Sequence, residues 1–152
     1  KVNEYDGVTV YCGGDDVLAM LPVDSALRCA QALSNLYGQI FEKHCSGISK
    51  KATISAAIVF CPFRAPFRDV ISLAHHLLDD VAKDATGRDS LAIAVLKSIG
   101  VTCLWTAPWE IEQLEVTSIL DTLAQQLSSG EEREGMLSSS DEQSIDCTWR
   151  LW

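Results

Sequence analysis

Four residues, Gly13-Gly14-Asp15-Asp16, separate two short apolar runs, and that brevity fixes the local fold. Val8-Thr9-Val10-Tyr11-Cys12 and Val17-Leu18-Ala19-Met20-Leu21 each have the β-branched, aromatic and aliphatic content of a strand. Strands joined this closely pair antiparallel, because a parallel pair needs a crossover of a dozen or more residues. The spacing therefore predicts a β-hairpin with an acidic pair at its tip.

Two adjacent carboxylates at such a tip repel, and one would tend to stay protonated. A divalent cation removes the difficulty, because Mg²⁺ takes hard oxygen ligands from one or two carboxylates together with substrate phosphates. The glycines let backbone N–H groups approach a phosphate with no Cβ in the way. Asp15 and Asp16 are thus the candidate catalytic residues and ligands of Mg²⁺ or Mn²⁺, and Gly13 and Gly14 the candidate phosphate contacts. Gly and Asp also occupy turns that bind nothing, since both tolerate positive φ. The tetrapeptide by itself leaves a plain chain reversal open.

The 152-residue chain is long enough for one domain with a real core, and 47% of it is hydrophobic. Apolar runs are broken by charges well short of the roughly 20 residues that cross a bilayer. The first residues, Lys1 to Asp6, are not followed by the apolar stretch of a signal peptide, and the absence of an initial Met reads as a fragment or a processed piece. The six cysteines form no Cys-x-x-Cys pair. Cys12, Cys61 and Cys103 in strand-like runs and Cys29 in a helix-like run are expected to be small buried thiols, in a reducing, cytoplasmic setting. Neither His44-Cys45 nor His75-His76 suits a metal, because adjacent residues do not face one way on a helix. A net charge of −9 argues against a broad basic face for nucleic acid.

Beyond the hairpin, Pro22-Val23-Asp24-Ser25 reads as a helix start with Asp24 as N-cap. Ala26, Leu27, Ala30, Leu33, Leu36, Tyr37, Ile40 and Phe41 supply one apolar stripe. Ala52 to Cys61 is a near-continuous apolar run suited to an interior strand covered on both faces. Phe67 to Ala82 carries a clean helical period, and Gly87 stands where a helix stop belongs. Leu91 to Leu96 and Val101 to Trp105 read as further strands. The predicted fold is α+β: an antiparallel sheet with helices on one face, as in a ferredoxin-like or polymerase-palm domain, incomplete at its N-terminus. Residues 1–106 form that domain, 107–127 a helical extension led by Trp109, and 128–152 an acidic Ser-rich linker followed by the start of another segment.

Three stretches carry a resemblance to a known family. Val-Tyr-Cys-Gly-Gly-Asp-Asp-Val-Leu-Ala-Met-Leu-Pro at 10–22, Ala-Thr-Ile-Ser-Ala-Ala-Ile-Val at 52–59 and Leu-Leu-Asp-Asp-Val-Ala-Lys-Asp-Ala-Thr-Gly-Arg-Asp-Ser-Leu-Ala at 77–92 stand in its order and spacing. Together they resemble the second palm domain of the large polymerase/cyclase subunit of type III CRISPR effector complexes, in its Cmr-type branch. The resemblance implies a nucleotide-cyclase-like palm that joins ATP molecules into cyclic oligoadenylate. Its partners would be the other subunits of an RNA-guided antiviral complex and, through that assembly, guide and target RNA. Asp15 and Asp16 would hold Mg²⁺ or Mn²⁺, and Lys83 and Arg88 would meet the triphosphate. A cation at a helix C-terminus is equally at home beside the helix dipole. Ser55 would line the nucleotide pocket or pack as a small residue under a helix. The family's first palm strand brings another metal-binding Asp, which has no counterpart in this chain, so a silent scaffold palm is the second reading. A GGDEF-type diguanylate cyclase is the third, although that motif has Glu and Phe where Asp16 and Val17 stand.

Overall fold

The computed structural model describes residues 1–14, 16–45, 52–85, 88–111, 114–122 and 145–151. Asp15, Gly87, most of the loop after α1 and the acidic Ser-rich stretch lie outside these residues. The chain runs through a 3-10 turn (Val2–Tyr5), β1 (Val8–Gly13), β2 (Asp16–Pro22), α1 (Val23–His44), β3 (Ala56–Pro62) and α2 (Phe67–His76). A π-helix (Leu77–Ala85), β4 (Ser90–Lys97), β5 (Gly100–Pro108), β6 (Glu110–Ile111), β7 (Leu114–Glu115), a helical segment at 116–122 (α3) and β8 (Ile145–Leu151) follow. Six strands make one sheet in the order β1-β2-β8-β3-β4-β5, and β6 with β7 forms a small ribbon.

β1 and β2 pair antiparallel with Gly13 opposite Asp16, as the four-residue spacing requires, and Val10 is bulged between two registers. Along β3 and β4 successive residues are buried, alternate ones joining opposite cores. Ala56 and Ile58 of β3 join Leu91 and Ile93 of β4, Ala19 and Leu21 of β2, and Ala26, Cys29 and Ala30 of α1 in one core. Ala57, Val59 and Cys61 join Ala92 and Ala94, with Val70 and Ala74 of α2 and Leu77, Leu78 and Ala82 of the π-helix, in a second core. Since neighbouring strand residues point to opposite faces, α1 and α2 cover opposite sides of the sheet.

The α+β palm class is what the structure shows, with two departures from the arrangement expected of it. The helices flank both faces rather than one, and β3 pairs with β4 in parallel. The near-continuous apolar run of β3 already required cover on both sides. β2, β3 and β4 run parallel to one another, because β8 is antiparallel to both β2 and β3. The crossovers β2–α1–β3 and β3–α2–β4 step the same way across the sheet on opposite faces, so they have opposite hand, against the usual right-handed rule.

Local readings shift too. Pro22, not Asp24, is the N-cap of α1, and no side chain caps it; Asp24 sits exposed in the first turn. Ser25 instead ties the helix start down, its Oγ donating to Tyr5 O at 2.9 Å and Pro22 O at 3.3 Å. Burial along α1 is confined to its first half, and Tyr37 and Ile40 are exposed where the stripe outruns the sheet. Trp109 does not lead a helix: it is a buried corner residue whose indole Nε1 donates to Ile54 O at 2.7 Å, and helix begins only at 116. Of Thr148 to Trp152, the expected start of another segment, 148–151 belong to β8, a strand in the middle of the sheet, and Trp152 lies outside the described residues.

Candidate functional site

Register places the predicted site residues along one end of the sheet. Val17 aligns with Leu151, Leu151 with Ala56, and Ala56 with Leu91. Asp16, Ser55 and Ser90 each precede a member of that row. Asp16 shares its face with Leu18, which aligns through Arg150 with Ala57 on the α2 side. Ser55 and Ser90 lie two residues before Ala57 and Ala92, on the same side. The hairpin tip and the start of β3 are two lanes apart, about 10 Å at normal strand spacing.

At the tip, Gly14 adopts φ +64°, and nothing lies within 4 Å of where its Cβ would stand. Glycine takes that left-handed conformation without the steric cost other residues incur. Gly13 is different: a Cβ there would stand 2.6 Å from the Tyr11 hydroxyl oxygen. Its missing side chain makes room for the Tyr11 ring. Asp16 is half-buried, and among the described residues its Oδ1 is buried with no hydrogen-bond partner. An orphaned carboxylate oxygen is costly, by about 1–3 kcal/mol or more for a charged group. The open backbone at Gly14 and the oxygen-only donor set of the turn fit a hard divalent cation carrying phosphate. Asp15 lies outside the described residues.

Across the row, Ser90 Oγ donates to Ala82 O at 2.5 Å, and Ser55 Oγ donates to the same carbonyl at 3.5 Å. Both serines are buried. They anchor the last turn of the π-helix to the sheet end, with Lys83 the next residue along; the Lys83 side chain is outside the described residues. The hydroxyl of Ser55 is thus engaged with the helix backbone, the packing role that its small size also allowed. A helix predicted to continue at ordinary pitch widens at Leu77, where Leu77 and Leu78 are both buried. Such π segments are rare and recur at functional sites.

Arg88 and Asp89 follow with φ +74° and +52°. Two consecutive left-handed non-glycine residues are unusual and mark stored strain. Asp89 O accepts the Trp109 N–H at 3.2 Å, which ties this turn to the Trp109 corner. Arg88 itself is exposed at the same sheet end.

Sequence reasoning missed Tyr11 and Ser90 as parts of this arrangement. Tyr11 was legible, since residues two apart on a strand share a face and Gly13 follows at that interval. Ser90 was hidden, because only the fold sets it beneath Ala82. The thiols also divide: Cys29 and Cys61 are buried, whereas Cys12 and Cys103 are exposed on the edge strands β1 and β5. Burial pushes the Cys29 thiol up to about 11. His76 Nδ1 meets Asp80 Oδ2 on the exposed side of the α2–π junction. Among the described residues no group of three His, Cys, Asp or Glu side chains could hold a metal. A cleft of about 250 Å³ lies elsewhere, between α1 and the Trp109 corner, and contains none of the predicted site residues. No described helix is long and apolar enough to cross a membrane.

Residues 1–92 match the family described as Cas10/Cmr2, second palm domain. The chain is also similar to the CRISPR system Cmr subunit Cmr2 of Pyrococcus furiosus, with 37% identity over 106 residues. That alignment covers 70% of this chain and 12% of the relative's length.

Proposed function

This chain belongs to the Cas10/Cmr2 second palm domain family, and on that premise we propose that its hairpin tip handles ATP. As a palm domain of a type III CRISPR subunit, it would contribute to joining ATP molecules into cyclic oligoadenylate by nucleotidyl transfer. In that reaction a 3′-hydroxyl oxygen would attack an α-phosphorus and give up its proton to solvent, while the bond from that phosphorus to the bridging oxygen breaks and pyrophosphate leaves with the electron pair.

The observation that carries this reading is Asp16 Oδ1, buried and without a partner among the described residues, beside the open backbone of Gly14. Asp15 and Asp16 would hold Mg²⁺ or Mn²⁺. The bound ion would supply charge neutralisation at the attacking and leaving oxygens. Gly14 offers its N–H to phosphate, and Gly13 keeps the strand end close beneath it. Lys83 and Arg88, at the same sheet end, would offset charge that grows on pyrophosphate. Ser55 and Ser90 position the helix end that carries Lys83. Other subunits of the ribonucleoprotein, with guide and target RNA, would switch the palm on.

The test uses the assembled complex with ATP and Mg²⁺. Cyclic product should form and should vanish with D15A and D16A together. Unchanged product from that double variant would refute the reading.

A silent scaffold palm is the second reading. It is favoured by the lane beside β2, whose strand carries its acid, Asp146, opposite Pro22 and Cys61 at the far end from the tip. Titrating the complex with ATP and Mn²⁺ separates the two, because saturable binding that requires Asp16 is incompatible with a scaffold. Competition between ATP and GTP addresses the GGDEF-type alternative, which needs GTP to win.

A further inference from the structure

The cleft of about 250 Å³ between α1 and the Trp109 corner is walled on one side by Gln31, Ser34, Asn35, Gln39 and Glu42, a polar face of α1 at helical spacing. That wall is built. Gln31 is only 6% exposed, and its Oε1 accepts from Thr117 Oγ1 at 3.4 Å. Its Nε2 donates to Asn35 Oδ1 at 3.2 Å, and Asn35 Nδ2 donates to Glu115 Oε1 at 2.9 Å. Asn35, which holds Glu115, and Glu42 stand about 10 Å apart along the helix axis at its normal rise. Between them Gly38 lines the cleft, and a Cβ there would meet no atom within 4 Å. Glycine is a poor helix former, and no close neighbour requires it at this position. Its missing side chain keeps the middle of the trough open.

The chemistry of the lining selects the ligand. Glu42, Asp89, Glu110 and Glu115 contribute carboxylates, and among the described residues that line the cleft there is no Lys, Arg or His. Such a lining repels phosphate and attracts a cation. Glu110 and Glu115 pair directly across the β6–β7 ribbon, where a positive charge would stabilise both carboxylates at once. A bare metal ion does not fit, because among the described residues no three His, Cys, Asp or Glu side chains stand close enough to hold one. The cation must therefore carry a chain that reaches from one carboxylate to another. The cleft, at about 250 Å³, lies just below the roughly 300 Å³ at which pockets for drug-sized ligands begin.

We propose that this cleft binds an extended aliphatic polycation of the polyamine class. One terminal ammonium is held by Glu110 and Glu115 and the other by Glu42, and the methylene chain between them passes over Gly38. The site is separate from the hairpin tip, and the inference does not depend on the nucleotide chemistry.

The full chain is titrated with spermidine by calorimetry in about 0.15 M NaCl, where charges more than about 8 Å apart are largely screened. One saturable site is expected. Putrescine, too short to span from Glu115 to Glu42, should bind at least about tenfold more weakly. Gly38→Leu fills the trough without touching a charge. It should weaken spermidine binding at least about tenfold and melt no earlier than the parent, since leucine is the better helix former. Glu110→Gln combined with Glu115→Gln keeps the oxygen acceptors and should weaken binding to the same degree. Asp69→Asn, at an exposed position on α2, should leave binding unchanged. The proposal is overturned by the absence of a saturable site, by putrescine binding as tightly as spermidine, by undiminished binding to either cleft variant, or by an equal loss in Asp69→Asn.

Discussion

The ring of Tyr11 lies against the backbone of Gly13, so that a Cβ on Gly13 would stand 2.6 Å from the phenol oxygen and 2.9 Å from the carbon that bears it. Tyr11 is 55% exposed and can swing aside. Gly13→Ala should therefore cost only about 0.5–1 kcal/mol in urea unfolding, and less in a Tyr11→Ala background, which a double-mutant cycle reads directly. Gly14→Ala meets no atom but must hold a left-handed φ, and should cost about 1–2 kcal/mol in either background.

Asp16→Asn should separate stability from binding. Among the described residues the Oδ1 makes no hydrogen bond whose loss would be felt, and removing the charge relieves desolvation. Its unfolding midpoint should stay within about 0.5 kcal/mol of the parent or rise. Mn²⁺ binding, followed by calorimetry, should be lost. A large fall in stability would mean that the carboxylate is structural.

Trp109 is 4% exposed and its indole N–H donates to Ile54 O at 2.7 Å. Trp109→Phe keeps most of the apolar volume but strands that carbonyl, and should cost about 1–3 kcal/mol. Trp109→Ala should cost about 3–5 kcal/mol through the cavity it leaves. Thermal melts distinguish the two.

Ser90→Ala removes the 2.5 Å bond to Ala82 O at a fully buried position. The expected loss is about 1–2 kcal/mol by denaturant melts. Ser55→Ala, at 3.5 Å from the same carbonyl, should cost less. Both changes should also lower deuterium protection in the last turn of the π-helix, which a generic core defect would not single out.

Cys29 gives the molecule an alkaline limit. Its thiol is at about 11 in the folded chain against an ordinary 9.0, with burial as the main cause. Below the ordinary value both states hold the proton and nothing is lost. Between about 9 and 11 the unfolded thiol ionises first, so stability should fall with rising pH by about 2–3 kcal/mol in all. Cys29→Ala should flatten that slope in pH-dependent melts. Iodoacetamide at pH 8 should label Cys12 and Cys103 and spare Cys29, since the two former are exposed and the last is not.

The hairpin, the order of strands and helices, and the acidic tip were legible because they depend on neighbours in the chain. A four-residue connection, a two-residue alternation and a helical period are local constraints, and β1, β2, β4 and most of α1 follow them. Cys12 and Cys103 were misplaced because a strand run says nothing about whether the strand lies at an edge. Trp109 and Ser90 were unreadable for a related reason: their partners, Ile54 and Ala82, are fixed only when distant segments meet.

Periodicity in the chain settled which residues would be strand, which would be helix and which turn would carry paired carboxylates, since those preferences arise within a few bonds. Packing alone settled that α1 and α2 take opposite faces, that the π-helix ends over Ser55 and Ser90, and that 145–151 enters between β2 and β3. Those outcomes reflect burial on both sides of one sheet, a condition that no short stretch of sequence can satisfy or report by itself.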